Sequence, residues 1–298
     1  MSRGAGIALA FVAATVSGVS IWVNGHAVRQ FHDATVYTTA KNGVAGVLLL
    51  VLALARTPAR ASAPRLRRRS LPALAAVAVI GGSVPFALFF EGLQHAQATQ
   101  AAFIQKTLVV WVALLAVPFL KERLRAPHLP ALALLLTGQV WLAGRAGTVA
   151  FGSGEAMIMA ATLLWAGEVV LVKRLLRAYP APPLAAARMG LGTALLACWL
   201  ALTGKAGELA RLDAAQWRWV VLTGLLLTAY VGVWYAALAR AGAIDVTAVL
   251  VFGAVVTALL SGAADGAPVS AAGAILVAAG SALVAWAALR RPAVDAGP

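Results

Sequence analysis

The sequence predicts an all-α integral membrane protein, with ten transmembrane helices arranged as two inverted five-helix repeats and with both termini in the cytoplasm. Composition predicts a membrane protein, because 62% of the 298 residues are hydrophobic and only 11% are charged. The mean hydropathy is +0.88, whereas soluble domains are far more polar. The long apolar runs show no polar outer face, and the chain has room for about ten segments of about 20 residues.

Ten apolar segments are each long enough to cross the hydrocarbon core of a bilayer. The first resembles a signal peptide, but its apolar run continues to Val28, so we interpret it as an uncleaved helix. Pro85 and Pro118 lie inside segments, where neighbouring helices can re-satisfy the backbone, and most other prolines lie near boundaries. The predicted helices are residues 5–29, 34–55, 71–94, 99–120, 128–146, 154–177, 182–203, 217–239, 245–264 and 268–290.

The distribution of Lys and Arg predicts the orientation of these helices, because short cytoplasmic loops are enriched in both residues. Of the 24 basic residues, sixteen lie at the end of the predicted bundle where the first helix begins and five lie at the opposite end. The remaining three lie within helices. This bias predicts that both termini are cytoplasmic.

The chain also repeats itself weakly. A shift of 147 residues aligns Lys41 with Arg188, and a shift of 145 residues aligns the pair Phe89-Phe90 with Trp234-Tyr235. An odd number of helices in each half places the second half in the membrane in the opposite sense, which is the inverted-repeat design of many secondary transporters. We therefore predict two domains, a first five-helix repeat over residues 1–150 and a second, inverted repeat over residues 151–298.

The stretch from Pro85 to Leu124 is the most informative part of the chain, and it reads PFALFFEGLQHAQATQAAFIQKTLVVWVALLAVPFLKERL. Two apolar runs are joined by a polar elbow and closed by Lys121-Glu122-Arg123. The aromatic-rich run, the small-residue turn and the pattern "QK…VWVALLAV…LKERL" resemble the third and fourth helices of the EamA-type transporters in the drug/metabolite transporter (DMT) superfamily. This resemblance implies a five-plus-five helix arrangement, a cavity lined by helices 1–4 and 6–9, and peripheral helices 5 and 10.

Several ionisable groups lie at membrane depth, where their burial is costly, so each is a candidate functional residue. Glu168 and Arg188 are expected at a similar depth in the inner half of the membrane, where we predict an ion pair. Two alternatives stay open, because this pair could serve only to neutralise its own burial cost and Lys106 could snorkel outward. Four groups are expected to meet in the outer half: Lys41, Lys106, Glu91 and His95.

Aromatic side chains with a few polar groups suit a pocket for an amphipathic organic solute, although any single ring is also compatible with helix packing or an interfacial belt. In the pocket hypothesis, the cations attract a carboxylate or another anionic group and the rings hold the apolar part. Glu168 or Glu91 would carry the proton if transport is proton-coupled. The predicted substrate-binding residues are Lys41, Lys106, Glu91, Trp22, Tyr37, Phe89, Trp111, Trp165, Glu168, Arg188, Trp234 and Tyr235.

No catalytic or cofactor-binding motif accompanies these residues. The sequence has no H-E-x-x-H, G-x-S-x-G or Walker A pattern, so we expect neither an enzyme, nor a cofactor, nor ATP-driven transport. The four histidines are scattered and Cys198 is the single cysteine, so no metal site or internal disulfide is predicted. The basic residues that give the formal charge of +14 lie mostly at helix ends and not on one soluble face, which argues against a nucleic-acid partner.

Gly273 and Gly280 suggest a close-packing face and a homodimer.

These observations favour a multi-pass secondary transporter of the bacterial inner membrane, which exports small organic metabolites such as amino acids or related amphipathic solutes by alternating access. Its partners would be that solute and membrane lipid. Two other classes remain open at this point. One is a flippase for a lipid-linked intermediate, and the other is a membrane-embedded enzyme or a non-transporting membrane scaffold. A flippase needs a lateral opening and cations facing the headgroups. A scaffold predicts that Lys41 and Lys106 can be replaced by apolar residues without loss of activity.

Overall fold

A computed structural model describes residues 2–56, 70–142 and 152–290, and these residues form helices joined by loops, without a strand. Within these ranges, nine helices are long and apolar enough to cross a membrane, and the segment His128–Leu142 is a shorter apolar helix. The protein is therefore a multi-pass, all-helical membrane protein. The predicted extension of the fifth helix to residue 146 lies outside the described residues. So do seven arginines that entered the orientation argument: Arg60, Arg65, Arg67, Arg68, Arg69, Arg145 and Arg291.

Fourteen α-helices are present in the described part of the chain, and several of them combine into one membrane-length segment. A 3₁₀ turn, Val28–Gln30, follows the first helix, and a π-helical segment, Ala78–Ser83, joins the third helix to the fourth. The helices are α1 (Arg3–Ala27), α2 (Ala34–Arg56), α3 (Leu71–Val77), α4 (Val84–His95), α5 (Ala98–Lys106), α6 (Leu108–Leu120), α7 (His128–Leu142), α8 (Ser153–Leu175), α9 (Ala181–Leu202), α10 (Ala206–Ala210), α11 (Ala214–Leu238), α12 (Ala243–Leu250), α13 (Gly253–Asp265) and α14 (Ala271–Leu289).

Two segments predicted as single helices, residues 99–120 and 245–264, are each broken in the middle. The first break separates α5 from α6 at Thr107, and the second separates α12 from α13 at Val251 and Phe252. At both places hydrogen bonds of the 3₁₀ type appear, for example from the N–H of Val110 to the carbonyl of Thr107 (2.9 Å) and from the N–H of Val255 to that of Phe252 (3.0 Å). A 3₁₀ stretch inside a helix often marks a functional hinge.

The same two broken segments also end alike. Lys121 follows α6 with φ of 56°, and Gly266 follows α13 with φ of 68°, both in the left-handed region. The next N–H in each case reaches back six residues, from Glu122 to Ala116 (3.3 Å) and from Ala267 to Ser261 (3.2 Å), so it engages a carbonyl of the last helical turn. The breaks and the ends of the two segments are thus related by the 145-residue shift seen in the sequence.

The two halves of the chain interleave instead of packing as separate units. Helix α1 packs against α11, α12 and α13, α2 packs against α9, and α4 packs against α8. Small residues permit the close approach, because a Cβ added to Gly18 would lie 2.4 Å from the carbonyl oxygen of Gly253, and one added to Gly92 would lie 2.5 Å from that of Gly154. Such glycine contacts let helix backbones meet in a membrane. One continuous core therefore includes helices from both halves.

Helix α14 uses its glycines within the chain. A Cβ on Gly273 would lie 2.9 Å from the carbonyl oxygen of Gly138, and one on Gly280 would lie 2.8 Å from Cγ of Leu135. Both contacts are with α7, which is the main partner of α14. The face that suggested a homodimer is thus occupied by another helix of the same chain, and these glycines no longer argue for a dimer.

Candidate functional site

A cavity lies in the middle of the bundle and is lined by residues from both halves of the chain. The space open to the centres of water molecules is about 60 Å³, which holds only a few waters. A larger ligand must therefore move side chains or helices apart. The lining residues are Ser17, Ser20, Ile21, Asn24, Lys41, Phe86, Phe89, Phe90, Gln105, Leu108, Trp165, Glu168, Arg188, Leu227, Tyr230, Val231, Trp234 and Tyr235.

Lys41 projects from α2 into this cavity and is only 1% exposed. Its ammonium nitrogen lies 3.1 Å from the centroid of the Phe90 ring, a close cation–π contact. Its hydrogen bond to Asn24 is long, at 3.4 Å from Nζ to Oδ1. The same oxygen also accepts a much shorter bond from the hydroxyl of Tyr37, at 2.6 Å. Lys41 is thus held mainly by aromatic faces, and its N–H donors have little else to bind among the described residues.

Glu168 of α8 and Arg188 of α9 form a buried ion pair, as the sequence predicted. The Arg188 Nε and Glu168 Oε1 atoms are 2.8 Å apart, and the second guanidinium nitrogen donates to Oε2 at 3.0 Å. The hydroxyl of Tyr235 also donates to Oε1 at 2.9 Å. The carboxylate is therefore bound on both oxygens, and its charge is matched by the guanidinium.

The π-helical segment between α3 and α4 makes room for this pair. A Cβ on Gly81 would lie 2.6 Å from Cγ of Glu168, and one on Gly82 would lie 2.2 Å from the carbonyl oxygen of Arg188. The indole N–H of Trp165 donates to the carbonyl of Gly81 at 3.2 Å. Because a π turn shifts the usual helical hydrogen bonds, it is frequent at functional sites. Here it lets two glycines and one indole position the buried charges.

Lys106 is equally buried, at 2% exposure, but it lies behind the cavity wall. Its ammonium donates to the hydroxyl of Ser17 at 2.8 Å and to the side-chain oxygen of Gln105 at 2.9 Å. Ser17 and Gln105 line the cavity, whereas Lys106 does not. Two neutral polar side chains therefore stand between the Lys106 ammonium and the cavity.

The structure brings seven of the twelve predicted residues to the cavity: Lys41, Phe89, Trp165, Glu168, Arg188, Trp234 and Tyr235. Two cations that were predicted for different halves of the membrane lie near the same aromatic ring. Lys41 Nζ and Arg188 Cζ lie 5.5 Å and 5.3 Å from the centroid of the same ring, that of Phe86. Depth along a helix axis could not reveal this, because it does not say which way the helices face or how they bend.

Five predicted residues do not line the cavity. Besides Lys106, Tyr37 lies one contact away through Asn24. Glu91 faces His95 in a partly exposed pair with 3.7 Å between Oε1 and Nε2. The indole N–H of Trp111 donates to the hydroxyl of Thr107 at the α5–α6 break (3.3 Å), and that of Trp22 donates to Asp265 at 2.8 Å.

Several lining residues did not appear among the predicted substrate-binding residues, above all Ser17, Ser20 and Asn24 on α1. A signal for them was available, because three polar residues at positions i, i+3 and i+7 lie on one face of a helix. Phe86 and Tyr230 also line the cavity, but nothing distinguishes their rings in the sequence from rings that only pack.

Polar contacts join the two halves at the end of the bundle where α1 begins, called here the near end. The carboxylate of Glu122 accepts the N–H groups of Ala243 (2.7 Å) and Ile244 (3.1 Å), so it caps the first turn of α12. His128 Nδ1 accepts the N–H of Arg125 at 3.1 Å, so Nε2 carries the proton and donates to the Asp245 carboxylate at 3.0 Å. The terminal charged motif of the Pro85–Leu124 stretch thus bridges to the second half.

Polar contacts also join the halves at the opposite end, called here the far end. Asp265 binds Trp22 and His26 of α1, with 3.2 Å to the His26 Nε2 atom. Lys205, in the loop after α9, donates to Asp33 before α2. Partial burial would raise the pKa of Asp33, but hydrogen bonds from Lys205 and from two backbone N–H groups outweigh it, so this pKa lies below its usual value. The hydrogen bond to Asp33 raises the pKa of Lys205.

The chemistry of the cavity suits the binding of a small molecule. Its charged lining residues are two cations and one carboxylate, and that carboxylate is already bound to Arg188 and Tyr235. Within the described residues, no group of three or more His, Cys, Asp or Glu side chains could hold a metal ion. The cavity therefore offers cationic and aromatic contacts to a small molecule.

Comparison with known proteins places this fold among transporters. A sequence profile described as "EamA-like transporter family" matches the chain twice, over residues 4–144 and 152–286. No curated protein sequence matches the chain significantly. A solved structure titled "Crystal structure of protein" is similar, with a TM-score of 0.75 and 20% identity over 95% of this chain and 99% of that one. At this identity the likeness concerns the fold alone.

Proposed function

The chain belongs to the EamA-like transporter family, and from this membership we propose a secondary transporter that exports small organic metabolites, such as amino acids or related amphipathic solutes. Its membrane would be the inner membrane of a bacterium. The proposal includes alternating access between two inverted repeats. The observation that carries it is the central cavity, whose lining comes from both halves and combines Lys41 and Arg188 with aromatic rings.

Alternating access requires that the contacts at one end of the bundle break while those at the other end hold. Both ends here are joined by a small number of polar contacts between the halves, such as Glu122 to α12 at the near end and Asp33 to Lys205 at the far end. The breaks within the α5–α6 and α12–α13 segments offer hinge points near mid-membrane. Discontinuous helices of this kind form substrate sites in many transporters.

The proposal is tested by flux of radiolabelled solutes into proteoliposomes that contain the purified protein. We expect uptake of at least one small organic solute, and we expect Lys41→Met to reduce it about tenfold or more, since a charge-assisted contact is lost. Arg218→Met is the control, because this arginine is exposed on α11 and does not line the cavity; it should leave the flux unchanged.

Two results would contradict the proposal. One is the absence of flux for every small solute in a panel of amino acids, organic acids, amines and nucleotides. The other is undiminished flux in a folded Lys41→Met variant. If lipid-linked sugars alone raise the melting temperature of the purified protein, a flippase replaces the small-solute transporter as the explanation.

A further inference from the structure

We propose that the solute bound in the central cavity is a monoanion with an aromatic or similarly bulky apolar body and without an ammonium group, in other words an arylalkyl carboxylate. Zwitterionic amino acids of the same shape should bind less well. This inference rests on the proposed function, because it narrows the class of solute that the same cavity transports.

The charges that line the cavity do not balance. Three charged residues line it, and they are the cations Lys41 and Arg188 and the carboxylate of Glu168. Arg188 and Glu168 neutralise one another at 2.8 Å, so the lining retains one cation in excess, Lys41. In a site shielded from water an uncompensated charge is costly, and a ligand carrying one negative charge removes that cost.

The Lys41 ammonium has few hydrogen-bond partners among the described residues. It has three N–H donors, and its hydrogen bond within the described residues is a long one of 3.4 Å to Asn24. Asn24 Oδ1 is already engaged by Tyr37 at 2.6 Å. A carboxylate entering the cavity would therefore meet a cation whose donors are available, and it would gain charge-assisted hydrogen bonds.

The one carboxylate among the described lining residues is already occupied. The Glu168 carboxylate is bound by Arg188 on both oxygens and by the Tyr235 hydroxyl. An incoming ammonium would have to compete with the guanidinium for it. The ammonium would also be repelled by the positive charges of Lys41 and of Lys106, which lies behind Ser17 and Gln105. Like charges at short range in a weakly screened site repel strongly.

Aromatic rings in the cavity lining suit the apolar part of the solute. Phe86, Phe89 and Trp165 form a cluster of edge-to-face and tilted rings, with centroids 5.3 Å apart for Phe86–Trp165 and 5.4 Å for Phe89–Trp165. Trp234 and Tyr235 face the cavity from α11. A ring or branched chain can insert among such side chains with favourable edge-to-face geometry. The solute class is thus an anion at one end and an apolar group at the other.

The test compares four probes that share a phenyl ring and a short chain: 3-phenylpropanoate, L-phenylalanine, phenethylamine and 3-phenylpropanamide. Affinities for the full-length purified protein follow from the concentration dependence of its melting temperature. We expect 3-phenylpropanoate to bind about tenfold or more tightly than each of the other three, which corresponds to one charge-assisted contact. This comparison needs no variant, so it stands even if a substitution prevents folding.

Variants of Lys41 add a second measurement. Lys41→Met should bring the affinity for 3-phenylpropanoate down to that for the neutral amide, while Lys41→Arg should keep the preference for the anion. Arg218→Met, which removes an exposed cation on α11 outside the cavity lining, should leave all four affinities unchanged.

The outcomes separate this inference from the proposed function. If L-phenylalanine or phenethylamine binds as tightly as 3-phenylpropanoate, the inference is overturned and the transporter proposal stands. If none of the four binds although another small solute is transported, the inference is again overturned alone. If no small solute is bound or transported, both fail together.

Discussion

At the scale of single residues, the Glu168–Arg188 pair shows what a buried charge requires in this bundle. Each partner is about 5% exposed or less, so each depends on the other for most of its charge compensation. Breaking such a pair from one side is far more damaging than replacing both partners by apolar groups. The pair therefore has a structural role in addition to lining the cavity.

Removal of the carboxylate should show this asymmetry. We expect Glu168→Gln to lower the free energy of unfolding by about 3–5 kcal/mol, because Arg188 is left buried without a counter-charge. The double variant Glu168→Gln with Arg188→Met should recover much of that loss. Glu91→Gln is a suitable control, since Glu91 is partly exposed beside His95. Chemical unfolding in detergent micelles measures all four proteins, and an unchanged Glu168→Gln variant would show that the pair does not stabilise the fold.

Sequence reasoning predicted much of the residue-scale chemistry and missed a definable part. The cost of burying a charge was enough to single out Lys41, Glu168 and Arg188, and equal depth on consecutive helices was enough to predict the ion pair. The meeting of Lys41 with Arg188 over the Phe86 ring was not predictable, because it depends on the packing of α2 against α9. The position of Lys106 behind the wall was not predicted either, because it depends on the packing of α5 against α1.

At the scale of helices, the two broken segments share one design, and their ends use different residues for the same backbone conformation. Gly266 adopts its left-handed conformation without a Cβ, and nothing lies within 4 Å of the place where one would be. Lys121 adopts a similar conformation with a side chain attached. A left-handed conformation costs an ordinary residue about 1 kcal/mol more than it costs glycine.

These two ends predict substitutions of opposite sign. Lys121→Gly should raise the free energy of unfolding by about 1 kcal/mol, because it relieves the left-handed strain. Gly266→Ala should lower it by a similar amount through strain alone, since there is no steric clash to add. Thermal unfolding of both variants beside the unaltered protein measures the difference. If both substitutions shift stability in the same direction, backbone strain is not what distinguishes these two positions.

The helix breaks themselves could not be predicted from apolar patterning. Neither Thr107 nor the Val251-Phe252 pair is a proline or glycine, and Gly253, directly after the second break, is one of many glycines in apolar runs and does not by itself mark an interruption. The 3₁₀ hydrogen bonds at these positions arise where the segment packs against others; for example, the virtual Cβ of Gly253 lies 2.6 Å from the carbonyl oxygen of Ala14 in α1. The breaks are therefore a product of tertiary packing.

At the scale of the whole molecule, the sequence predicted the number and placement of most membrane segments but not their interleaving. Hydropathy marks each span, and nine predicted spans match helices of membrane length within the described residues. Which helices meet across the halves depends on glycine contacts such as Gly92 with Gly154, and a single sequence does not pair them. Inversion of the repeats and the cytoplasmic termini remain predictions from the repeat and the charge bias.

The far-end contact between the halves should depend on pH. The lowered pKa of Asp33 means that its contribution to stability is full above about pH 4 and is lost as the pH falls through that lowered pKa. The raised pKa of Lys205 means that its contribution is full below about pH 10 and is lost as the pH rises through that raised pKa. We therefore expect Asp33→Asn to lower the melting temperature between about pH 4 and 10, and to have progressively less effect outside this window.

Asparagine suits this test because its side-chain oxygen can still accept the N–H groups of Thr35 and Val36, which Asp33 caps at 2.7 and 3.1 Å. The start of α2 is thereby preserved while the charge is removed. Lys205→Met should reproduce the same pH profile. A difference in melting temperature that stays constant down to pH 2 would show that the ionised pair does not link the halves.

The interleaving of helices also sets an order of events during synthesis. Helix α1 is synthesised well before the groove that receives it, because the contact of Gly18 with Gly253 and the hydrogen bond from Thr257 to the Gly18 carbonyl involve residues more than 200 positions later. At roughly 5–20 residues per second, the ribosome needs on the order of 10–50 s to reach that groove. During this time α1 lacks these contacts, so a nascent chain that stops before the groove leaves that face of α1 unmatched.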